Sequence, residues 1–183
     1  EAVLEQFVTF EREISVVGAR GLDGAFVHYG VIENEHVNHI LDVSLALNDV
    51  TSSVGVQAIE ITKALFETLD VVGTLCVEFF VTERNGVLIN EIAPRPHNSG
   101  HLTIDGCVTN QFEQHIRAIA GWPLVAAHRH SDCEMQNLLG DDIERLSTLA
   151  TSSDIHLHSY GKAEARKGRK MGHFTRIFAK NNA

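Results

Sequence analysis

The chain has 183 residues, 44% of them hydrophobic and 21% charged, with a formal net charge of −9. A polypeptide of this size buries about 70% of its unfolded surface, enough for one sizeable core or two small ones sharing an interface. No apolar run approaches the roughly 20 residues that span a bilayer, and an acidic balance argues against general nucleic-acid binding, which needs a basic face. No basic-then-apolar leader opens the sequence. Cys76, Cys107 and Cys133 are too scattered for a disulfide framework or a Cys-rich zinc site, so a cytoplasmic location is expected.

In chain order, Val3 to Phe10 and Glu13 to Arg20 are predicted as strands joined by the short Glu11-Arg12 turn, and Gly24 to Tyr29 continues the sheet. The polar break Asn48 to Ser53 precedes a predicted helix over 54–69, with Val54, Ala58, Ile61, Leu65 and Leu69 on one face. Gly73 to Val81 is predicted as a strand, Asn85-Gly86 as a two-residue hairpin turn, and Val87 to Ile92 as the return strand. A polar loop, Ala93 to Thr109, leads into a helix over 110–120 that Gly121 and Pro123 stop. Beyond it a strand is predicted at 135–139, a short helix at 141–149, and strands at 155–160 and 170–179. The mix is α+β with antiparallel hairpins, divided into residues 1–123 and a small β-rich module, 124–183.

Glu78 and Glu91 each interrupt an apolar strand. A carboxylate there is costly unless it is paired or bound to a metal. With a two-residue turn at Asn85-Gly86, Phe80 would face Glu91 and Glu78 would face Ala93. The two carboxylates are then diagonal neighbours, roughly 7 Å apart at the backbone. Hard oxygen ligands suit Mg²⁺. Asn90 reaches that face only through a twist or bulge. The competing reading is two glutamates on a solvated hairpin face, which the apolar neighbours Cys76, Phe80, Val87 and Ile89 weaken.

The loop after Glu91 holds Arg95 between two prolines, then His97, Asn98, Ser99, Gly100 and His101. A cation, a guanidinium and an imidazole together suit an anionic intermediate. His97 and His101 have a spacing that could bind zinc on a helix, but the prolines and Gly100 oppose a helix. The bland alternative is a polar loop without function. Lys162, Arg166, Lys167, Arg169 and Lys170 form a late basic cluster that reads as a local anion site or as a solvated loop.

Four stretches carry a family resemblance. Asn90-Glu91-Ile92-Ala93-Pro94-Arg95-Pro96-His97-Asn98-Ser99-Gly100-His101, and Tyr160-Gly161-Lys162 followed by Arg166-Lys167-Gly168-Arg169-Lys170-Met171-Gly172-His173, are long and specific. Glu5-Gln6-Phe7-Val8 with Phe10 and Glu13-Ile14-Ser15 is weaker, as is Asn34-Glu35-His36. Together they resemble, over nearly the whole chain, the 5-(carboxyamino)imidazole ribonucleotide synthases of the ATP-grasp superfamily. The chain departs from that pattern at Gly30 and Leu47, where the family has proline.

The resemblance implies the C-terminal half of an ATP-grasp fold, an antiparallel sheet with flanking helices, followed by the small module. It implies ATP-dependent carboxylation of aminoimidazole ribonucleotide by bicarbonate through carboxyphosphate. Glu78 and Glu91 would hold Mg²⁺, or Mn²⁺, with Asn90 beside them. Glu5, Val8, Glu13 and His36 would meet the nucleotide; Arg95, His97 and Lys162 would surround bicarbonate and the transferred carboxyl group. Asn98, Ser99, Arg169 and Lys170 would grip the substrate ribonucleotide. A homodimer is expected, with functional coupling to the mutase of the same pathway. The family's enzymes are about twice this length, and their Gly-rich phosphate loop is not found here, so the chain alone is expected not to turn over ATP. Alternatives are a sister ATP-grasp enzyme of purine synthesis using formate, or a non-catalytic dimerising fragment.

Overall fold

The structure is a computed structural model that describes residues 2–47, 52–83 and 86–180. The run Ile14-Ser15-Val16-Val17 offers buried groups to both sides, and Arg12–Arg20 (β1) accordingly sits inside the sheet, covered on both faces. It pairs antiparallel with Phe26–Val37 (β2) and with Gly73–Val81 (β4). Ile40–Ala46 (β3) returns from β2 through Asn38 and His39, both at positive φ (50° and 63°), as a two-residue hairpin of the primed kind requires. Val87–Ala93 (β5) closes one edge on β4. Asp132–Leu139 (β6), Lys170–Phe178 (β8) and Ile155–Ser159 (β7) continue past β3, giving the order β5-β4-β1-β2-β3-β6-β8-β7 with every neighbour antiparallel.

Ser53–Thr68 (α1) covers one face, against Ile14, Val16, Leu75, Val77 and Phe79. Ser52 caps it, its Oγ accepting from the Gly55 N–H at 3.2 Å. Its buried stripe is Val54, Ala58, Thr62 and Phe66, rotated from the expected one, and Leu69 is 54% exposed. The cause is Phe66, which packs over Gly18, where a Cβ would come within 3.0 Å of the Phe66 ring. Thr62 tolerates burial because its hydroxyl donates to the Ala58 carbonyl at 2.8 Å.

On the other face, the 3-10 turn Asn98–Leu102 and the short helix Thr103–Gly106 (α2) bring Leu102 and Cys107 against Val17, Cys76 and Met135. Gln111–Ile119 (α3), capped by Asn110 accepting from the Phe112 and Glu113 N–H groups at 3.0 Å, packs beside the start of β4. A single helix expected over 141–149 is instead a 3-10 turn, Gly140–Arg145, followed by one helical turn, Leu146–Leu149 (α4).

The strand expected at 3–10 does not form. Residues 2–10 carry no regular structure, and Val3, Leu4 and Phe7 are 87%, 100% and 90% exposed. Strand-forming side chains cannot hold a strand that has no neighbour to pair with. Among the described residues, no helix is long and apolar enough to cross a membrane.

Candidate active site

The β4–β5 ribbon sets the site. Val81 pairs with Val87, Phe80 with Leu88 and Phe79 with Ile89; then the register slips, and Glu78 stands directly opposite Glu91. The expected diagonal placement is therefore corrected: the connection is longer than two residues, and a bulge resets the register. Asn85 lies outside the described residues. The extra residue of the bulge is Asn90, so the condition for bringing Asn90 beside the carboxylates is met.

Glu78 and Glu91 lie in a cleft of about 940 Å³, lined also by Glu13, Asn34, His36, Phe80 and Asn90. His36 Nδ1 contacts Glu13 Oε2. Burial raises the Glu78 pKa; His36 opposes that rise, and the Glu91 and Glu13 carboxylates add to it. Facing anions in a partly dry cleft gain from a hard divalent cation, so the donor set fits Mg²⁺. Phe10 stacks on Phe80, ring centroids 4.4 Å apart, and forms one wall.

Behind the cleft runs a one-way chain of hydrogen bonds. Ser44 Oγ donates to Asn34 Oδ1, Asn34 Nδ2 to Ser15 Oγ, and Ser15 Oγ to Ser99 Oγ, each at 2.9 Å. The Ser99 N–H points at His97 Nδ1 (3.3 Å), so that nitrogen is an acceptor, and the Ser99 hydroxyl donates to it at 2.9 Å. The proton of neutral His97 then sits on Nε2, 3.4 Å from Glu78 Oε1. Burial, followed by the positive charges of Arg95 and Lys170, holds the His97 pKa down at about 4 and keeps the ring neutral. Every donor in the chain points toward the Glu78 carboxylate, an arrangement in which each bond polarises the next.

The His97 backbone is clamped by buried Gln111, whose Oε1 accepts from the His97 N–H at 2.9 Å and whose Nε2 donates to the His97 carbonyl at 2.7 Å. Lys170 Nζ donates to Asn98 Oδ1 at 2.9 Å, and Lys162 Nζ donates to the Lys170 carbonyl at 2.5 Å. Burial, with Arg95 and Lys162 nearby, lowers the Lys170 pKa, although Glu78 opposes it.

The structure thus gathers Glu13, His36, Glu78, Asn90 and Glu91 in one cleft, with His97, Ser99, Asn98, Lys162 and Lys170 linked beside it. Arg95 is exposed and donates to the Pro96 carbonyl at 3.0 Å. Arg169 donates to the Glu164 carbonyl at 3.1 Å and makes no bond to Asn98 or Lys170. Glu5 and Val8 lie on the irregular segment before β1. Ser15 and Asn34 entered from sequence only as members of short motifs, without a role, and Ser44 and Gln111 not at all. Ser15 and Ser44 carried a signal, a small polar residue inside an apolar strand; Gln111 carried none.

A family model described as the ATP-grasp domain matches residues 1–112, and a model described as the phosphoribosylaminoimidazole carboxylase C-terminal domain matches residues 133–183. The chain belongs to the ATP-grasp family. Within it, the chain is similar to N5-carboxyaminoimidazole ribonucleotide synthases. That of Brucella melitensis is 49% identical over 180 residues, 96% of this chain and 49% of the relative. A solved ADP complex of such a synthetase is 44% identical with a TM-score of 0.90, covering 94% of this chain and 46% of that one. The Aspergillus clavatus synthase, solved with ADP and 5-aminoimidazole ribonucleotide, is 29% identical with a TM-score of 0.88, covering 93% and 48%. The chain spans about half the length of the curated relatives it matches.

Proposed function

We propose that this chain is the metal-binding half of an enzyme that carboxylates aminoimidazole ribonucleotide with bicarbonate and ATP, through carboxyphosphate, giving N5-carboxyaminoimidazole ribonucleotide for purine synthesis. The carrying observation is the facing pair Glu78 and Glu91, brought level by the bulge at Asn90. Similarity to synthases solved with ADP and with the aminoimidazole ribonucleotide supports the substrates.

In this reading Glu78 and Glu91 hold Mg²⁺, or Mn²⁺, with Asn90 beside them. That ion would offset charge on the ATP phosphates. Glu13, fixed by His36, accepts from the ribose hydroxyls; Glu5 and the Val8 backbone meet the adenine edge. Neutral His97 orients the Glu78 carboxylate through its Nε2–H, and with Arg95 and Lys162 surrounds bicarbonate and the transferred carboxyl group. Lys170, Asn98 and Arg169 grip the ribonucleotide, while Ser99 acts from behind by holding His97. Residues 1–123 would form the ATP-grasp lobe and 124–183 a module that supplies the basic residues. A cytoplasmic homodimer coupled to the pathway's mutase belongs to the same reading; Phe112, Ile116, Ile119 and Trp122 offer exposed apolar surface for a second subunit.

The test is ADP release by the whole protein. It should require bicarbonate and rise on addition of aminoimidazole ribonucleotide. Release that ignores the ribonucleotide, or that needs formate instead of bicarbonate, would overturn the reading.

A further inference from the structure

A second cluster of chemistry-bearing side chains lies away from the cleft, where α2 meets β7 and β8. Asp105, His158 and His173 each offer one ligand atom, all within 4.8 Å of one another. His158 Nε2 is 2.8 Å from Asp105 Oδ2, and the rings of His158 and His173 stack with centroids 4.5 Å apart. An Asp–His pair alone would account for His158 and Asp105, whose burial penalty, the largest single effect, is outweighed by the hydrogen bonds and nearby histidine charges taken together. It does not account for His173, which is 1% exposed and whose Nε2 has no hydrogen-bond partner.

The surrounding hydrogen bonds occupy one nitrogen of His173 and leave the other free. Asn98 Oδ1 accepts from the Lys170 ammonium, which can only donate, so the Asn98 amide orientation is set. Asn98 Nδ2 then faces His101 Nδ1 at 3.3 Å, and that nitrogen must accept. The Tyr160 hydroxyl lies 3.1 Å from the same nitrogen and 2.8 Å from His173 Nδ1, so the Nδ1 edge of His173 is occupied by Tyr160. His173 Nε2 is left without a partner in the interior. Leaving such a group unsatisfied costs about 1–3 kcal/mol. An imidazole with one nitrogen tied through a hydrogen bond and the other left free is the arrangement of a metal-ligating histidine.

We propose that Asp105, His158 and His173 bind a divalent transition-metal ion of the zinc type, separate from the Mg²⁺ carboxylates. Two imidazoles and one carboxylate match the donors such ions select and Mg²⁺ does not. Ligands of a tetrahedral ion at about 2.0–2.1 Å lie about 3.3 Å apart, so closing the cluster requires the stacked His158 and His173 rings to turn toward one point. On binding, the Nε2 proton that His158 shares with Asp105 is released and the neutral ring takes its proton at Nδ1, freeing the Nε2 lone pair for the ion. It would tie α2, which directly follows the Asn98–Leu102 turn, to the two C-terminal strands. Tyr160 is a positioning residue, holding the His173 ring at Nδ1 and itself held beside His101.

Co²⁺ and Zn²⁺ titrations of the chelator-stripped whole protein test this. With excess Mg²⁺ present to fill the carboxylate site, one equivalent of Co²⁺ should bind with a visible spectrum of nitrogen-containing ligation, and Zn²⁺ should displace it. Asp105→Asn and His158→Gln should each weaken binding at least 100-fold with an unchanged far-ultraviolet circular dichroism spectrum. Tyr160→Phe should weaken it about 10-fold. Glu91→Gln should leave it unaltered. Failure of the wild-type protein to bind Co²⁺ or Zn²⁺, or equal binding by Asp105→Asn and His158→Gln, overturns the proposal.

Discussion

Ser99 carries more than its size suggests. Its hydroxyl accepts from Ser15 and donates to His97, so it joins the strand interior to the ring that faces Glu78. Ser99→Ala removes one oxygen and strands one buried donor, the Ser15 hydroxyl, while His97 Nδ1 keeps only the longer bond from the backbone N–H of residue 99. An unsatisfied buried group costs about 1–3 kcal/mol, so urea unfolding should report a loss of about 1–3 kcal/mol. A loss under about 0.5 kcal/mol, the scale of a neutral surface change, would contradict the chain. The three thiols make a different kind of statement. Cys76, Cys107 and Cys133 are free and buried. Burial pushes Cys107 up to about 12 and Cys133 up to about 11, and Cys76 higher still. Native protein at pH 8 should therefore resist thiol reagents, with all three reacting in denaturant.

At the scale of elements, the turn Asn98–Leu102 depends on a glycine. A Cβ at Gly100 would come within 2.6 Å of Gln111 Oε1, the atom that clamps the His97 N–H. Gly100→Ala should cost about 1–3 kcal/mol by overpacking, and pairing it with Gln111→Ala should be clearly non-additive in the unfolding measurement. Much of the element layout was legible in the sequence. Apolar periodicity located β1, β4, β5, β8, α1 and α3 within a few residues, and two glutamates in apolar runs pointed to the cleft. What escaped has physical reasons. The β2–β3 hairpin turns on Asn38-His39, which lacks the glycine that usually marks such a turn. The Glu78–Glu91 register depended on connection length and on a bulge, neither of which a hydrophobic pattern encodes. The helix α1 stripe rotated because Gly18 made room for Phe66, a tertiary choice. The Ser44-to-Glu78 chain joins five separate elements and becomes visible only when they are folded together.

Across the molecule, one eight-stranded sheet runs from the carboxylates on β4 and β5 to the histidines on β7 and β8. Three histidines are kept neutral inside it: His97 and His101 are held at about 4 and His173 at about 3, burial being the main cause in each. An unfolded histidine titrates near 6.5. Between about pH 4 and 6.5 the unfolded chain therefore binds more protons than the folded one, and stability rises with pH through this window. Acidification from pH 7 to 5 in the presence of a chelator should destabilise the protein, each histidine contributing up to about 1.4 kcal/mol per pH unit. Glu78, whose raised pKa works in the opposite direction, is one group against three. Urea midpoints that stay level from pH 7 to 5 would refute the neutral-histidine interior. The paired carboxylates are the centre of the site, and Mn²⁺ binding followed by electron paramagnetic resonance probes them most directly. In an Asp105→Asn background that silences the histidine site, one Mn²⁺ should bind, and Glu78→Gln or Glu91→Gln should each weaken it at least 10-fold. Mn²⁺ affinity unchanged in both variants would contradict a cation held between Glu78 and Glu91.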